Sequence, residues 1–335
     1  MRHARTLIGL AVSVAFLVLL LAQVDRQETL DALRGMDARW FAPALALLAA
    51  SVVVRSERWA VILRPVVPLT TREAATLVTI GLAANNVFPA RAGEVVRAVL
   101  IRRRHGGSSA TAIGTIVVER ILDGLVLALF LAGTVALAGS TPALRVFAAI
   151  AAAGFGAGTL VVLGLGLWPA RGRALLAVLL RFAPGALRVR VEAVLGRFLE
   201  GLVLLRGGGA WARVLSLTLL TWLLEAASYW MVGRSFGLDL SPALYLGVCG
   251  AANLAIAAPS TSGGIGPYEF FAREVVVRFG ATAAAGTAFA LVLHVFVLLP
   301  IAVAGFALAW VQGVRVRTLT REAAKGEVAG AGGRA

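Results

Sequence analysis

The chain has 335 residues, of which 59% are hydrophobic and only 15% are charged, and its mean hydropathy is +0.88. A soluble protein of this size could not cover so much apolar surface with polar side chains, so the composition excludes a soluble enzyme and predicts an all-α, polytopic membrane helical bundle. The net charge of +15 does not indicate a nucleic-acid partner, because the arginines lie between long apolar runs. It is typical of cytoplasmic loops and of contact with anionic lipid headgroups.

The sequence offers little for metal or cofactor chemistry. A single cysteine, Cys249, cannot form an internal disulfide, and three scattered histidines do not predict a Cys/His metal site. There is no Walker-type phosphate loop and no catalytic constellation in the sequence. We therefore expect no metal, no cofactor and no enzymatic activity.

The first apolar run covers residues 6–24 and follows a short basic head. It is longer than the usual core of a signal peptide and no small-x-small cleavage site follows it, which favours an uncleaved first helix. Residues 25–39 are polar and read as an outer loop. Further apolar runs cover residues 40–63, 70–90, 110–137, 147–168, 215–232, 244–258 and 281–311.

A different kind of segment separates the two groups of apolar runs. Residues 171–213 contain eight arginines against Glu192 and Glu200, interleaved with Leu, Val and Phe. Basic amphipathic segments of this kind lie in the membrane interface, so we predict an interfacial linker over residues 171–208. The membrane domain then covers residues 1–311, and the polar tail over residues 312–335 is predicted to be disordered and cytoplasmic.

The charge of the loops predicts the topology of the chain. The basic head, residues 91–104, residues 171–213 and the tail should all be cytoplasmic. This is consistent only if the apolar runs that end at Pro89 and Pro259 enter and leave the membrane on one side. We therefore predict about six full spans and two re-entrant hairpins, in the inner or plasma membrane, with both termini cytoplasmic.

The two hairpins belong to an internal repeat with halves at about 40–140 and 210–311. In the first half, Asn86 and Pro89 interrupt the apolar run and are followed by a short basic helix and a span with a basic residue near its middle. In the second half, Pro259 and a glycine cluster interrupt the run in the same way. The predicted topologies of the halves are opposite, as in many transporters with interrupted helices.

Several charged residues lie inside the predicted spans, where an unpaired charge is costly. Glu119, Arg120 and Asp123 share about one third of a helix circumference, and Arg120 can pair with Asp123 at i,i+3. Glu225 and His294 stand alone in their spans. These residues indicate either a polar cavity that contacts a headgroup or salt bridges between helices.

A second cluster of charges, Arg55, Glu57 and Arg58, lies near the predicted cytoplasmic end of its span. Long basic side chains at such a position can extend to the interface. We therefore interpret this cluster as structural. Tyr229 and Tyr268 are as consistent with packing as with ligand contact.

Two motifs resemble the lysylphosphatidylglycerol synthase transmembrane region, also called the flippase-like family. They are Asn86-Val-Phe-Pro89-Ala-Arg91-Ala-Gly93-Glu94 and Pro259-Ser-Thr-Ser-Gly263-Gly264-Ile-Gly266-Pro267-Tyr268-Glu269, together with the stretch from Gly106 to Arg120. The resemblance covers residues 6–311. The sequence departs from the family pattern at Glu94, where Asp is frequent, and at His294, where Arg is frequent.

The resemblance implies a module that moves aminoacylated phosphatidylglycerol, or another anionic or modified lipid, between leaflets. Membrane lipids are the expected partners, and a separate lipid-modifying enzyme is a candidate partner. One alternative is a membrane enzyme that modifies a lipid-linked headgroup, with Asp25, Asp31 and Asp37 as candidate acidic loop residues. A second alternative is a scaffold of envelope lipid synthesis that transports nothing. The residues expected to bind substrate or to form the translocation path are Asn86, Pro89, Arg91, Gly93, Glu94, Arg97, Glu119, Arg120, Asp123, Glu225, Gly263, Gly264, Gly266, Tyr268, Glu269 and His294.

Overall fold

The computed structural model describes residues 2–21, 25–88, 92–106, 109–138, 141–168, 208–256 and 262–314, with isolated residues between 170 and 185. Most of these residues are helical. No strand occurs in these ranges. The helices are α1 Arg2–Leu21, α2 Arg26–Arg34, α3 Phe41–Leu63, α4 Thr71–Val87, α5 Ala92–His105, α6 Ser109–Ala138, α7 Pro142–Leu167, α8 Gly208–Ser235, α9 Leu244–Ala255, α10 Pro267–Arg278 and α11 Ala283–Val311. Short 3-10 turns cover Ala38–Trp40 and Ser262–Gly264.

Four of these helices, α3, α7, α8 and α11, are long and apolar enough to cross a membrane within the described residues. Helix α6 has 30 residues, which is also ample length for a span, and it carries the Glu119, Arg120 and Asp123 cluster in its first half. The helical membrane bundle predicted from composition is confirmed, and the protein is a multi-pass membrane protein.

Local sequence signals fix where several helices begin. Thr70 and Glu73 form a reciprocal capping box at the start of α4, and Thr282 accepts a hydrogen bond from the Ala285 N–H at the start of α11. These caps satisfy N–H groups that the first helical turn leaves unpaired. Pro142 stands at the first position of α7, where its missing N–H costs nothing.

The expectation of a loop over residues 25–39 is wrong for residues 26–34, whereas the outer location of this segment stays a prediction. Helix α2 forms there, because the Asp25 side chain accepts hydrogen bonds from the Gln27 and Glu28 N–H groups. Glu28 in the first turn and Arg34 in the last turn also suit the helix dipole. A short polar helix of this kind has no apolar periodicity. Without that periodicity, the sequence does not predict a helix here.

Each half of the protein contains a pair of short helices, α4 with α5 and α9 with α10. Helix α4 has 17 residues, α5 has 14, and α9 and α10 have 12 each. A span needs about 20 residues, so only α4 approaches the required length. These pairs occupy the positions of the two predicted re-entrant hairpins.

The two halves use the same helix packing. Helix α4 packs on α5 and α3, and α9 packs correspondingly on α10 and α8; the first helix of each hairpin also packs on the long helix of the other half, α4 on α11 and α9 on α6. This exchange is the arrangement expected of an internal repeat. The opposite membrane orientation of the halves stays a prediction.

Glycines bring the exchanged helices close together, as small residues do in membrane bundles. A Cβ added at Gly305 of α11 would lie 2.5 Å from the Thr79 carbonyl oxygen of α4, and one added at Gly250 of α9 would lie 2.6 Å from the Leu127 carbonyl oxygen of α6. The centre of the bundle is therefore formed by elements of both halves.

Several sequence predictions fall outside the described residues. These are the positions of Pro89, Arg91 and Pro259, almost all of the linker over residues 171–208, and the tail beyond residue 314.

Candidate functional site

A cavity of about 510 Å³ lies at the centre of the bundle, between the two halves. Its wall is contributed by α3 to α11 and by the Ser262–Gly264 turn. One part of the lining is polar and charged, and another part is apolar. The polar and charged lining residues are Ser51, Arg55, Asn85, Asn86, Glu94, Arg120, Asp123, Glu225, Asn253, Tyr268 and His294.

A network of buried ion pairs lies next to the cavity, and Arg58 is at its centre. The Arg58 side chain is fully buried. Its guanidinium donates to Asp123 and, at 3.2 Å, to Glu119, one turn apart on α6. Thr218 accepts a further hydrogen bond from Arg58 at 3.1 Å. Helices α3, α6 and α8 are thereby joined at a depth where an unpaired charge would be very costly.

Two more arginines extend the network from the side of the first hairpin. Arg97 of α5 pairs with Glu119 at 2.8 Å and lies 4.0 Å from the centre of the Trp59 ring. Arg120 pairs with Asp123 at 3.2 Å, which confirms the i,i+3 pair predicted from the sequence. Glu94 approaches Arg120 at 3.8 Å, so α5 and α6 contribute to one cluster.

A further ion pair at the cavity joins Arg55 of α3 to Glu225 of α8, and Arg55 also lies 4.0 Å from Asp123. The two side chains meet at 3.0 Å and both are about 7% exposed. The Tyr229 hydroxyl donates to Glu225 at 3.2 Å, and Asn253 donates to the same hydroxyl at 3.0 Å. Glu225 is therefore not isolated in its span, because its partner comes from another helix.

Among the described residues, the ion pairs of this network join the arginines Arg55, Arg58, Arg97 and Arg120 to the carboxylates Glu94, Glu119, Asp123 and Glu225. Arg120 is the most accessible of the four guanidinium groups, with 28% of its side chain exposed, whereas the others are at most 7% exposed. Arg120 therefore presents the most accessible guanidinium group of these four, already partnered by Asp123.

A second polar group lies at the glycine turn of the second half. His294 of α11 contacts Glu269 through Nδ1 at 2.7 Å and the Gly263 carbonyl oxygen through Nε2 at 2.9 Å. The Tyr268 ring stacks on the imidazole with centroids 4.2 Å apart. Glu269 also accepts from the Gly266 N–H at 2.7 Å, so its carboxylate begins α10 as well as holding His294.

The glycines of this turn are required by backbone geometry. Gly263, Gly264 and Gly266 have φ values of 78°, 79° and 100°, which side chains rarely tolerate. A Cβ at Gly266 would also lie 2.6 Å from the Ser13 carbonyl oxygen. The turn can therefore pass between α1 and α11 only with glycine at this position.

The C-terminal end of α4, in the first hairpin, lines the same cavity through Asn85 and Asn86. Asn85 accepts a hydrogen bond from the Gly93 N–H at 2.8 Å and thereby joins α4 to α5. Asn86 donates to the Leu298 carbonyl oxygen of α11 at 3.3 Å, one turn after His294. The interrupted ends of both hairpins thus meet at α11.

The structure brings most of the predicted site residues to one place. Those that line the cavity are Asn86, Glu94, Arg120, Asp123, Glu225, Gly263, Gly264, Tyr268 and His294. Arg97, Glu119, Glu269, Gly93 and Gly266 do not line it and instead hold the lining residues or the hairpins in position. Pro89 and Arg91 lie outside the described residues.

The structural interpretation of Arg55 and Arg58 agrees with their ion pairs between helices, but the expectation that their side chains extend to the interface is wrong. Arg55 is 6% exposed and Arg58 is 0% exposed, and both point into the bundle. Their spacing of three residues places them on one face of α3, whereas Glu57 lies on another face and pairs with Arg64 and Arg213. This spacing was the available signal. Asn253 and Trp222 were missed, because neither has a distinguishing sequence context.

A curated relative is similar to this chain. It is the glycosyltransferase AglD of Haloferax volcanii, with 28% identity over an alignment 302 residues long that covers 80% of this chain and 48% of the relative. This chain therefore spans about half the length of the relative that it matches.

The family match is broader. The family model described as the lysylphosphatidylglycerol synthase TM region matches residues 6–305, which include both hairpins, the charged network and the glycine turn. The chain belongs to the lysylphosphatidylglycerol synthase transmembrane region family.

Proposed function

We propose that this protein is a lipid transporter that moves an anionic or aminoacylated phospholipid, or a related lipid, between membrane leaflets. The observation that carries the proposal is the central cavity, whose lining combines charged side chains with apolar ones in a membrane-spanning bundle. A phospholipid has the same division, with a charged headgroup on apolar chains. Family membership supports a lipid-related role.

The lining suggests how a lipid would be held. Arg120 offers the most accessible guanidinium for a phosphate oxygen, and its neighbours Glu94 and Asp123 suit an ammonium group. Phe88, Leu298 and Ile301 supply an apolar surface on the same cavity. A headgroup that carries both signs of charge would thus meet partners for each.

In this proposal, the end of α4 and the Ser262–Gly264 turn are the segments that move to give alternating access. The end of α4 and the Ser262–Gly264 turn both lie at the cavity. Each has a hydrogen bond to α11, since Asn86 donates to the Leu298 carbonyl oxygen and His294 contacts the Gly263 carbonyl oxygen. Breaking one bond while keeping the other would open the cavity toward one leaflet. This behaviour is expected of inverted-repeat transporters.

The test is lipid movement in proteoliposomes. The purified chain is reconstituted with fluorescent phosphatidylglycerol or its lysyl ester, and the outer-leaflet probe is quenched. We expect protein-dependent movement that Arg120→Ala slows by about tenfold or more, because a charge-assisted hydrogen bond contributes roughly 1.5–3 kcal/mol. Arg39→Ala is the matched control, since the Arg39 side chain is 79% exposed and pairs with Asp37 at the surface.

Equal rates for the wild type, Arg120→Ala and protein-free vesicles, from protein with the native melting profile, would contradict transport of these lipids. Equal loss in Arg120→Ala and Arg39→Ala would contradict a role for the cavity.

A membrane enzyme that modifies a lipid-linked headgroup is the second candidate, and the name of the glycosyltransferase relative favours it. The acidic residues that we considered for such chemistry have structural partners here. Asp25 and Asp37 cap helices and Asp31 pairs with Arg34 at 3.3 Å. Product formation from a nucleotide-sugar donor and a polyprenyl phosphate, followed by mass spectrometry, separates the candidates, and the transport proposal expects no product.

A further inference from the structure

Both ring nitrogens of His294 lie within hydrogen-bond distance of an oxygen atom. The Gly263 carbonyl oxygen, 2.9 Å from Nε2, can only accept a hydrogen bond. Glu269 Oε1, 2.7 Å from Nδ1, can also only accept when the carboxyl group is ionised. A neutral imidazole has one donor and one acceptor, so it cannot satisfy two acceptors at once.

A proton count follows from this geometry. Nε2 must carry a hydrogen to bond Gly263, and one further hydrogen must lie between Nδ1 and Oε1. Either the imidazole is doubly protonated beside an ionised Glu269, or the imidazole is neutral and Glu269 is protonated. Both arrangements hold one proton more than a neutral histidine beside an ionised carboxylate, and both leave the pair with no net charge.

We propose that the Glu269–His294 pair is a proton-binding site, and that the bound proton fastens the Ser262–Gly264 turn to α11. The ligand of this site is H⁺ taken from water in the central cavity, which His294 lines. Both side chains are buried, with 3% of His294 and 4% of Glu269 exposed. The proposal concerns proton binding and does not depend on which lipid uses the cavity.

Loss of the proton has a defined structural consequence. The neutral imidazole would keep its single hydrogen on Nδ1, because a hydrogen bond to an ionised carboxylate is about twice as strong as one to a neutral carbonyl. Nε2 would then present a lone pair to the Gly263 carbonyl oxygen, and that contact becomes repulsive. The turn would separate from α11, while the Gly266 N–H bond to Glu269 would remain.

Separation of the turn would change the wall of the cavity. Gly263 lies against both halves of the protein, since a Cβ there would be 3.4 Å from Leu298 and 3.5 Å from the Asn86 carbonyl oxygen. Release of the turn would therefore loosen the contact between the glycine turn and the end of α4. Proton binding closes this contact and proton release opens it.

The surroundings contain other groups that titrate or carry charge. From α10, Tyr268 stacks on the imidazole, and Arg273, one turn after Glu269, donates to Thr287 of α11 at 3.0 Å. From α8, Glu225 and Tyr229 lie in one hydrogen-bonded group, in which Arg55 neutralises Glu225.

The remaining helices that pack on α11 add little charge at this depth. Helix α4 brings the uncharged Asn86. The charged residues of α2, such as the Asp31–Arg34 pair, are exposed. Among these groups, Glu269 is the titratable group in direct hydrogen-bond contact with the His294 imidazole.

The experiment follows the Nε2 hydrogen directly. The full chain in lipid nanodiscs is labelled with ¹⁵N-histidine, and the His294 signals are identified by their loss in His294→Gln. Nε2 carries a hydrogen in both occupied arrangements and none in the released state. We expect the wild type to lose the Nε2 hydrogen as the pH rises, and His105→Gln to leave this transition unchanged.

Glu269→Gln is the decisive variant. The Gln amide can donate to Nδ1 and its oxygen can accept from the Gly266 N–H, so the variant imitates the occupied state without a titrating carboxyl group. We expect Nε2 to keep its hydrogen at every pH, and hydrogen exchange of residues 262–266 to stay as slow as in the wild type at low pH. Glu57→Gln, which removes a carboxylate outside this group, should behave like the wild type.

Two results would overturn the proposal. One is a wild-type Nε2 that keeps its hydrogen at every pH at which the protein stays folded. The other is a transition that persists unchanged in Glu269→Gln. Because the wild-type titration requires no substitution, a variant that fails to fold does not remove the test. A protein that binds the proton but moves no lipid would contradict the proposed function and leave the proton site standing.

Discussion

At the scale of single residues, the main feature is that charges inside the bundle have partners on other helices. Arg58 joins Glu119 and Asp123, and Arg55 joins Glu225. Removing both members of a buried pair can be nearly neutral, but removing one leaves an uncompensated charge. The network therefore holds the helices in one arrangement, whatever its net contribution to stability.

Substitution of Arg58 tests this asymmetry. We expect Arg58→Ala to destabilise the protein by about 3–5 kcal/mol, because two carboxylates lose their shared partner. The measurement is denaturant unfolding in detergent micelles. Arg39→Ala is the control, since an exposed pair contributes about 0–1 kcal/mol; similar losses in the two variants would contradict the interpretation.

The sequence identified most of these charged residues but not their partners. The triplet on α6 was recognised as a cluster, and the i,i+3 pair of Arg120 and Asp123 follows from helix periodicity alone. The pairing of Arg55 with Glu225 joins residues 170 positions apart. No local pattern determines such a contact, because it depends on which faces of α3 and α8 meet.

At the scale of helices, glycine decides how closely neighbours approach. In the first hairpin, a Cβ at Gly93 of α5 would overlap the Gly81 carbonyl oxygen of α4, far inside van der Waals contact. No side chain can move aside to relieve this contact, since the obstructing atom belongs to the backbone. The hairpin therefore closes only with glycine at this position.

Gly93→Ala should consequently separate α4 from α5 and disturb Arg97 one turn later. We expect a loss of folded protein or a marked fall in melting temperature, measured by fluorescence-detected size exclusion after heating. Gly154→Ala in α7 is the matched control, because a Cβ there meets nothing within 4 Å. That variant should be neutral or more stable by about 0.5–1 kcal/mol. A Gly93→Ala protein as stable as Gly154→Ala would show that the hairpin is packed differently.

At the scale of the whole molecule, the matching packing of the two halves supports a repeat, and the loop charges predict that the halves are inverted. Arg104 and Arg278 lie at the ends of α5 and α10, which are the second helices of the two hairpins. If the repeat is inverted, these positions face opposite sides of the membrane. A parallel repeat would place them on the same side.

Cysteine labelling distinguishes these arrangements. Cys249 is buried and is the single cysteine of the sequence, so Cys249→Ala provides a thiol-free background. In intact cells, an impermeant maleimide should label Arg278→Cys and Arg34→Cys but should label Arg104→Cys only after permeabilisation. Labelling of Arg104→Cys and Arg278→Cys from one side would contradict the inverted topology.

The sequence by itself determined the solvent of this protein, its helical class, the positions of the long apolar helices and the two interrupted segments. Each of these follows from composition or from a local pattern of apolar, proline and glycine residues. Only the tertiary structure decided that Arg55 and Arg58 face the interior, that Glu269 holds His294, and that both hairpin ends meet at α11. These contacts join parts of the chain that are far apart in sequence. In the low dielectric of the bundle a buried charge needs a partner. Which residue that partner is depends on how the helices pack, and no local sequence pattern shows it.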